Sequence, residues 1–165
     1  MKSHVLLFAT LLAAASCNNE VTGLGPPSDP SKETFAASLG VDLAQMTRLD
    51  NGVYYRDVGV GTGGEVTDTA VSVNVTYAGF LKDGTLFASG TNESFTLALV
   101  IPGLRSALIG MKVGGRRKVV IPSELGYGGR SQRGPDGKIS IPRQSTLVYD
   151  VEVVNVVNPE PATPP

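Results

Sequence analysis

The chain is short of the residues on which most enzyme chemistry is built. Its 165 residues include one Cys, one His and no Trp. The Cys is Cys17 and the His is His4, both near the N-terminus and too few for a His- or Cys-rich metal site. An excess of either charge is also missing: 14 Lys+Arg face 15 Asp+Glu, a net charge of −1. Nucleic-acid binders carry clustered basic surface, and this balance supplies none. No apolar run approaches the ~20 residues that a membrane-spanning helix needs. What remains is 41% hydrophobic residues, enough for a core, with 20 Gly and 11 Pro. That composition predicts one domain with appendages, built from short strands joined by many turns.

The N-terminus has its own pattern. Lys2 opens it, Val5 to Ala15 is apolar, and Ala13-Ala14-Ala15-Ser16 is a run of small residues ending at Cys17. A charged start, an apolar stretch and a small-residue exit read as an export signal over residues 1–16. Small residues directly before a Cys resemble the lipobox of bacterial lipoproteins, with Ala14 where Leu is usual. That resemblance implies cleavage before Cys17 and diacylation of its thiol; the alternative is ordinary secretion with Cys17 lost or left free. Several acyl chains make a stable anchor where one does not. Asn18 rather than Asp after the Cys favours the outer membrane. Cleavage would remove Lys2 and His4, leaving 13 basic and 15 acidic residues, net −2, and no His. Activity then has to come from carboxylates, hydroxyls, Lys, Arg, backbone dipoles or an apolar pocket.

Along the chain, residues 17–31 are polar and Gly/Pro-rich and read as a flexible tether. Residues 32–50 read as an N-terminal helical arm, with Phe35, Ala36 and Leu39 on one face and Gly40 as a stop. Residues 51–157 form the main domain, and 158–165 a Pro-rich tail that cannot pair in a sheet. Within the domain, Val53 to Val58 reads as a strand after the Asn51-Gly52 turn. Val71, Val73, Val75 and Tyr77 alternate with polar or small residues, as a strand with one buried face does. Asp83-Gly84 turns the chain into Thr85 to Phe87, and Phe95, Leu97 and Leu99 mark another alternating strand. The spacing of Leu104, Ala107, Leu108 and Met111 predicts a short helix opened by Pro102-Gly103. Arg117 to Ile121 returns to strand, with Arg116, Arg117 and Lys118 read as strand-edge charges. In the closing strand, Thr146 to Val157, the residues Leu147, Tyr149, Val151 and Val153 point inward. The fold class is α+β: an antiparallel sheet with one short helix covering a face.

Four blocks of this pattern occur in an order that resembles the FKBP-type peptidyl-prolyl cis-trans isomerases. They are Val75 to Phe87, Val100 to Gly115, Val120 to Gly128, and Ile141-Pro142 through Leu147 to Glu152. The resemblance implies an antiparallel half-barrel sheet wrapped around the short helix, with an apolar pocket that takes a prolyl ring. By position it makes Tyr77, Phe87 and Tyr149 the aromatic walls, with Phe95, Val100 and Ile101 along the sides. It assigns the Ile101 N–H to a substrate carbonyl, the Tyr127 hydroxyl to the carbonyl of the twisting imide, and Ile141 to the rim. The implied partners are unfolded or loop proline-containing polypeptides, with a membrane reached through the lipid. A monomer needing no metal or cofactor and binding no nucleic acid is expected. Non-covalent rotation about an X–Pro bond suits a chain without His or thiol, because no bond is made or broken.

Two positions depart from the family pattern. Ala88 stands where Asp usually follows the wall Phe, and Leu104 stands where the pocket floor is usually Trp. Phe87, Phe95 and Leu104 taken singly also read as plain core, and Arg130, Gln132, Arg133 and Lys138 as either a preference for acidic flanks or a solvated hairpin tip. Two rivals to the isomerase therefore stay open: a non-catalytic proline-binding or chaperone module, and a structural surface lipoprotein. With Ala88 and Leu104, macrolide inhibitors are expected to bind more weakly than to members carrying both usual residues. Calorimetric titration checks this, and equal affinity refutes it.

Overall fold

The computed structural model describes residues 25–67 and 72–157. The expected signal, the first part of the tether with Cys17, and the Pro-rich tail lie outside the described residues. The strands are β1 (Thr47–Arg48), β2 (Tyr54–Gly59), β3 (Ser72–Leu81), β4 (Leu86–Thr96), β5 (Arg116–Ile121), β6 (Gln132–Arg133), β7 (Ile139–Ile141) and β8 (Leu147–Val157). Helix α1 spans Pro102–Leu108, between β4 and β5. A six-stranded sheet runs in the order β1-β2-β5-β8-β3-β4, with every neighbouring pair antiparallel. β6 and β7 form a separate hairpin.

The alternation in β8 shows how the core is arranged. Leu147, Tyr149, Val151 and Val153 join Leu104, Ala107, Leu108 and Met111 in the main core, between sheet and helix. A seven-residue helix is too short to persist alone, so α1 exists because this apolar face is covered. Pro102 suits its first position, where the missing N–H costs nothing. Val120 and Val148 point the other way and meet Leu39, with Phe35, Leu43, Met46 and Phe80 around them. The centre of the sheet is thus buried on both faces, by α1 on one and by the N-terminal arm on the other.

That arm is not the helix its sequence suggests. Residues 30–45 make three separate single 3₁₀ turns, Pro30–Lys32, Ala37–Leu39 and Leu43–Gln45. Gly40 ends the second in the left-handed region (φ 58) and the Asp42 carboxylate caps the third through Ala44 N–H. Extended chain covers roughly twice the length per residue that helix does, so Phe35, Leu39 and Leu43 can reach across the sheet. Within the segment expected as tether, Pro30 is buried and Ser28 exchanges hydrogen bonds with Ser123. These contacts are polar, and hydrophobic periodicity gives no sign of them.

Two more expectations are corrected. The strand signalled by Phe95, Leu97 and Leu99 ends at Thr96, and Leu97–Leu99 is a 3₁₀ turn. Leu97 is consequently buried and Leu99 is 85% exposed. Arg117 and Lys118 are not edge charges, since β5 lies inside the sheet and both are buried. Arg117 reaches Asp57 with two nitrogens (2.6 and 3.0 Å) and the Ala107 carbonyl with a third (2.6 Å), lying over the Tyr55 ring at 4.2 Å. The planar fork thereby fastens the end of α1 to the sheet. Arg117→Ala is expected to cost about 2–3 kcal/mol, below the full value for a buried pair because Asp57 is partly solvated. Urea denaturation measures it, and a loss under about 0.5 kcal/mol would contradict the role.

Candidate active site

On the concave side of the sheet, at the start of α1, lies a cleft of about 240 Å³. Tyr77, Ala88, Phe95, Val100, Ile101, Leu104, Tyr127, Tyr149 and Leu99 line it. The first eight are residues that the sequence singled out; Leu99 was missed because alternation placed it inward. β3 supplies Tyr77, β4 supplies Ala88 and Phe95, and β8 supplies Tyr149. α1 contributes Leu104 as floor, and the segment after β5 contributes Tyr127. A depression of about 370 Å³ on the outer face involves Arg116, Asp150 and Glu152. Their charges are already paired across strands, Arg116 with Glu152 and Asp150 with Lys118, so that surface offers little to a ligand.

The aromatic rings pack at defined angles. Tyr77 lies 5.3 Å from Phe95 and 6.4 Å from Tyr149, both tilted, while Phe87 meets Tyr149 edge-on at 5.6 Å. Phe87 and Ile141 are not among the lining residues. Phe87 is partly buried and packs on the core, in contact with Tyr149, and Ile141 is buried in the core. Gly79 makes this contact possible: a Cβ there would sit 2.7 Å from the Phe87 ring and 2.9 Å from Tyr149. Its role was not legible from β3 read as a single strand, because the rings that need the space come from β4 and β8.

Polar groups in the cleft are few and neutral. The Ile101 N–H is one of the first amides of α1, which a helix leaves without an internal partner, and it meets no acceptor among the described residues. Burial, reinforced by Tyr127 and Tyr77, pushes the Tyr149 hydroxyl far above the ordinary tyrosine range, and a hydrogen bond with Tyr127 adds to this. Tyr77 is also raised, first by burial and then by Glu93 and Tyr127. The Glu93 carboxylate folds back over Gly90 beside the Tyr77 ring. Among the described residues no group of three or more His, Cys, Asp or Glu is placed to hold a metal, and no helix there is long and apolar enough to cross a membrane. What the arrangement can do is enclose a small apolar ring and offer neutral donors to a carbonyl beside it.

Such a cleft, on an antiparallel sheet closed by one short helix, goes with the fold seen in FKBP-type structures. The family model described as FKBP-type peptidyl-prolyl cis-trans isomerase matches residues 63–154, more than half of the chain, and the chain belongs to that family. It is 39% identical over 129 residues to the FKBP-type peptidyl-prolyl cis-trans isomerase FkpA of Escherichia coli, covering 76% of this chain and 43% of that protein. It is 32% identical over 141 residues to the photosynthetic NDH subunit of lumenal location 4 of Arabidopsis thaliana, covering 78% and 64%. The crystal structure of E. coli FkpA superposes with a TM-score of 0.60 at 38% identity, over 68% of this chain and 52% of that one. A peptidyl-prolyl cis-trans isomerase of Pseudomonas syringae superposes with a TM-score of 0.62 at 31% identity, over 74% and 87%. The chain spans less than two thirds of the length of these curated relatives.

The protonation of the site makes a double prediction. No His, Lys or carboxylate lines the cleft, so the kcat/KM of any isomerase activity the cleft supports should stay flat from about pH 5 to 9. A bell-shaped profile within that range would contradict it. The raised values at Tyr77 and Tyr149 favour the protonated hydroxyls in the fold. The stability they supply is therefore complete below the unfolded tyrosine value of about 10 and is lost as pH rises above it. Thermal unfolding between pH 8 and 11 reads this directly.

Proposed function

We propose that this domain accelerates cis–trans exchange at X–Pro bonds of polypeptides outside the cytoplasm, held at a membrane by lipid on Cys17. The observation that carries the catalytic reading is the cleft itself: aromatic and aliphatic walls, neutral throughout, with the Ile101 N–H and the Tyr127 hydroxyl at its edge.

The uncatalysed barrier, about 18–20 kcal/mol, is mostly the loss of amide resonance. Resonance places charge on the imide oxygen and nitrogen. Water stabilises that planar, polarised form, and an apolar cleft does so less. Twisting lowers the polarisation, so a prolyl ring between Tyr77, Phe95 and Tyr149 binds better twisted than planar, which is differential binding of the transition state. The Ile101 N–H fixes one substrate carbonyl and the Tyr127 hydroxyl meets the carbonyl of the rotating bond. Nothing covalent forms, and the chain needs no nucleophile. Leu104 and Ala88 support a second reading, a binder with weak catalysis: the floor is less sharply shaped than an indole would make it, and no carboxylate follows Phe87.

Exchange of a short prolyl peptide, followed by NMR with catalytic amounts of protein, should accelerate, and Tyr127→Phe should lower kcat/KM by roughly two- to tenfold. Binding without acceleration, in both the native chain and Ala88→Asp, would establish the binding module. Absence of peptide binding would favour the structural lipoprotein. Export and anchoring rest on the N-terminal pattern and are tested separately. Cells fed a labelled fatty acid should label the native chain, and Cys17→Ser should remain unlabelled; label on both would refute the site.

A further inference from the structure

The Tyr127 side chain packs on the core and hydrogen-bonds Tyr149, but neither flanking glycine, Gly126 nor Gly128, has a side chain to restrain its backbone, and Gly128 has φ 55. The backbone around it is nevertheless pinned. The carbonyl of Ser123 accepts both the Gly126 N–H (3.0 Å) and the Gly128 N–H (2.8 Å), and the Gly128 carbonyl accepts the Gln144 N–H (2.7 Å). Ser123 is fully buried, and its other polar groups bond to residues distant in sequence. Its N–H donates to the Ser28 hydroxyl and its own hydroxyl accepts from the Ser28 N–H, both at 2.8 Å. The Ser123 hydroxyl donates to Gln144 Oε1 at 2.9 Å, and the buried Thr146 hydroxyl donates to Ser28 at 2.8 Å. Gln144 Nε2 reaches back to the Gly25 carbonyl at 3.2 Å. Gln144 has φ 56, a region that residues other than glycine seldom adopt, and contacts at both its backbone and its side chain hold it there.

We infer that Ser28 and Ser123 are positioning residues for Tyr127: their reciprocal pair locks the N-terminal segment onto the loop and fixes where the Tyr127 hydroxyl stands in the cleft. The physical reason is that a buried N–H must have an acceptor. Without the Ser28 hydroxyl, the Ser123 N–H is stranded, and the chain regains a partner by moving Ser123. Because the carbonyl of that same residue holds the amides on either side of Tyr127, the movement passes directly to the tyrosine. A hydroxyl displaced by about 1 Å loses much of its value to a transition state. The N-terminal segment, 95 residues away in sequence, is in this way part of the active site without touching substrate.

The activity readout rests on the isomerase reading. Ser28→Ala is expected to lower kcat/KM for a prolyl peptide by about three- to tenfold, while Ser28→Thr, which keeps the hydroxyl, retains most of it. In a Tyr127→Phe background the same substitution should cost less than about twofold, since the group it positions is already gone. Independent of turnover, the Gly128 amide should exchange with deuterium about tenfold faster in Ser28→Ala. Additive losses in the double variant would overturn the inference, and so would unchanged Gly128 exchange. A native chain that accelerates no prolyl exchange refutes the isomerase reading instead, and Gly128 exchange still decides the clamp. Should Ser28→Ala not fold, Ser28→Cys, with a weaker acceptor, carries the same comparison.

Discussion

Burial of the two central strands on both faces is the constraint on which the rest of this fold depends. β5 and β8 send Val119, Ile121, Leu147, Tyr149 and Val151 toward α1, and Val120 and Val148 toward the N-terminal arm. A strand apolar on both faces has weakly specified register, because a slip by one residue exchanges one apolar set for another. Here the register is fixed by a charge. Arg117 shares the inner face with Val119 and Ile121, and its donors find Asp57 and the end of α1 only in the observed alignment. A buried guanidinium with no acceptor is costly enough to exclude the slipped pairing.

The cleft lies at the start of α1, between Ile101, Leu104 and the rings of β3, β4 and β8. The helix is too short to be stable without its contacts, so cleft and core form together. Gly79 leaves room for Phe87 and Tyr149 to meet. Where strands form the site its side chains are held by packing, and where the Tyr127 loop forms it the backbone is held by hydrogen bonds. Preorganisation is therefore divided between apolar packing and a small buried polar network around Ser123.

Much of this was legible in the residue pattern, for identifiable reasons. The alternation in β3 marks one buried face, and the helical spacing of Leu104, Ala107, Leu108 and Met111 marks another. The four motif blocks hold six of the nine residues that line the cleft, and the family resemblance they carry added Ala88 and Phe95, although neither periodicity nor composition alone separates them from plain core. The misses share a cause. Leu99 continues the period of Phe95 and Leu97, but the chain turns at Thr96. The arm has helical spacing, yet covering a sheet face requires extended chain between its turns. Arg117 was read by its charge, when its position in the sheet depends on which strands flank β5.

The local chemistry of the chain determined its class: no His in the domain, few charges, aromatics at particular places, and turns that make short antiparallel strands. These left an apolar site as the expectation, and the order of the four motif blocks pointed to the family that the family model shows. Tertiary structure alone decided which side of each residue would be used. It set Phe87 edge-on against Tyr149, put Arg117 inside the sheet, and brought Ser28 against Ser123. The physical reason is range. Periodicity and turn chemistry act over a few residues, whereas register, ring contacts and buried hydrogen bonds are settled between segments distant in sequence that meet only in the folded chain.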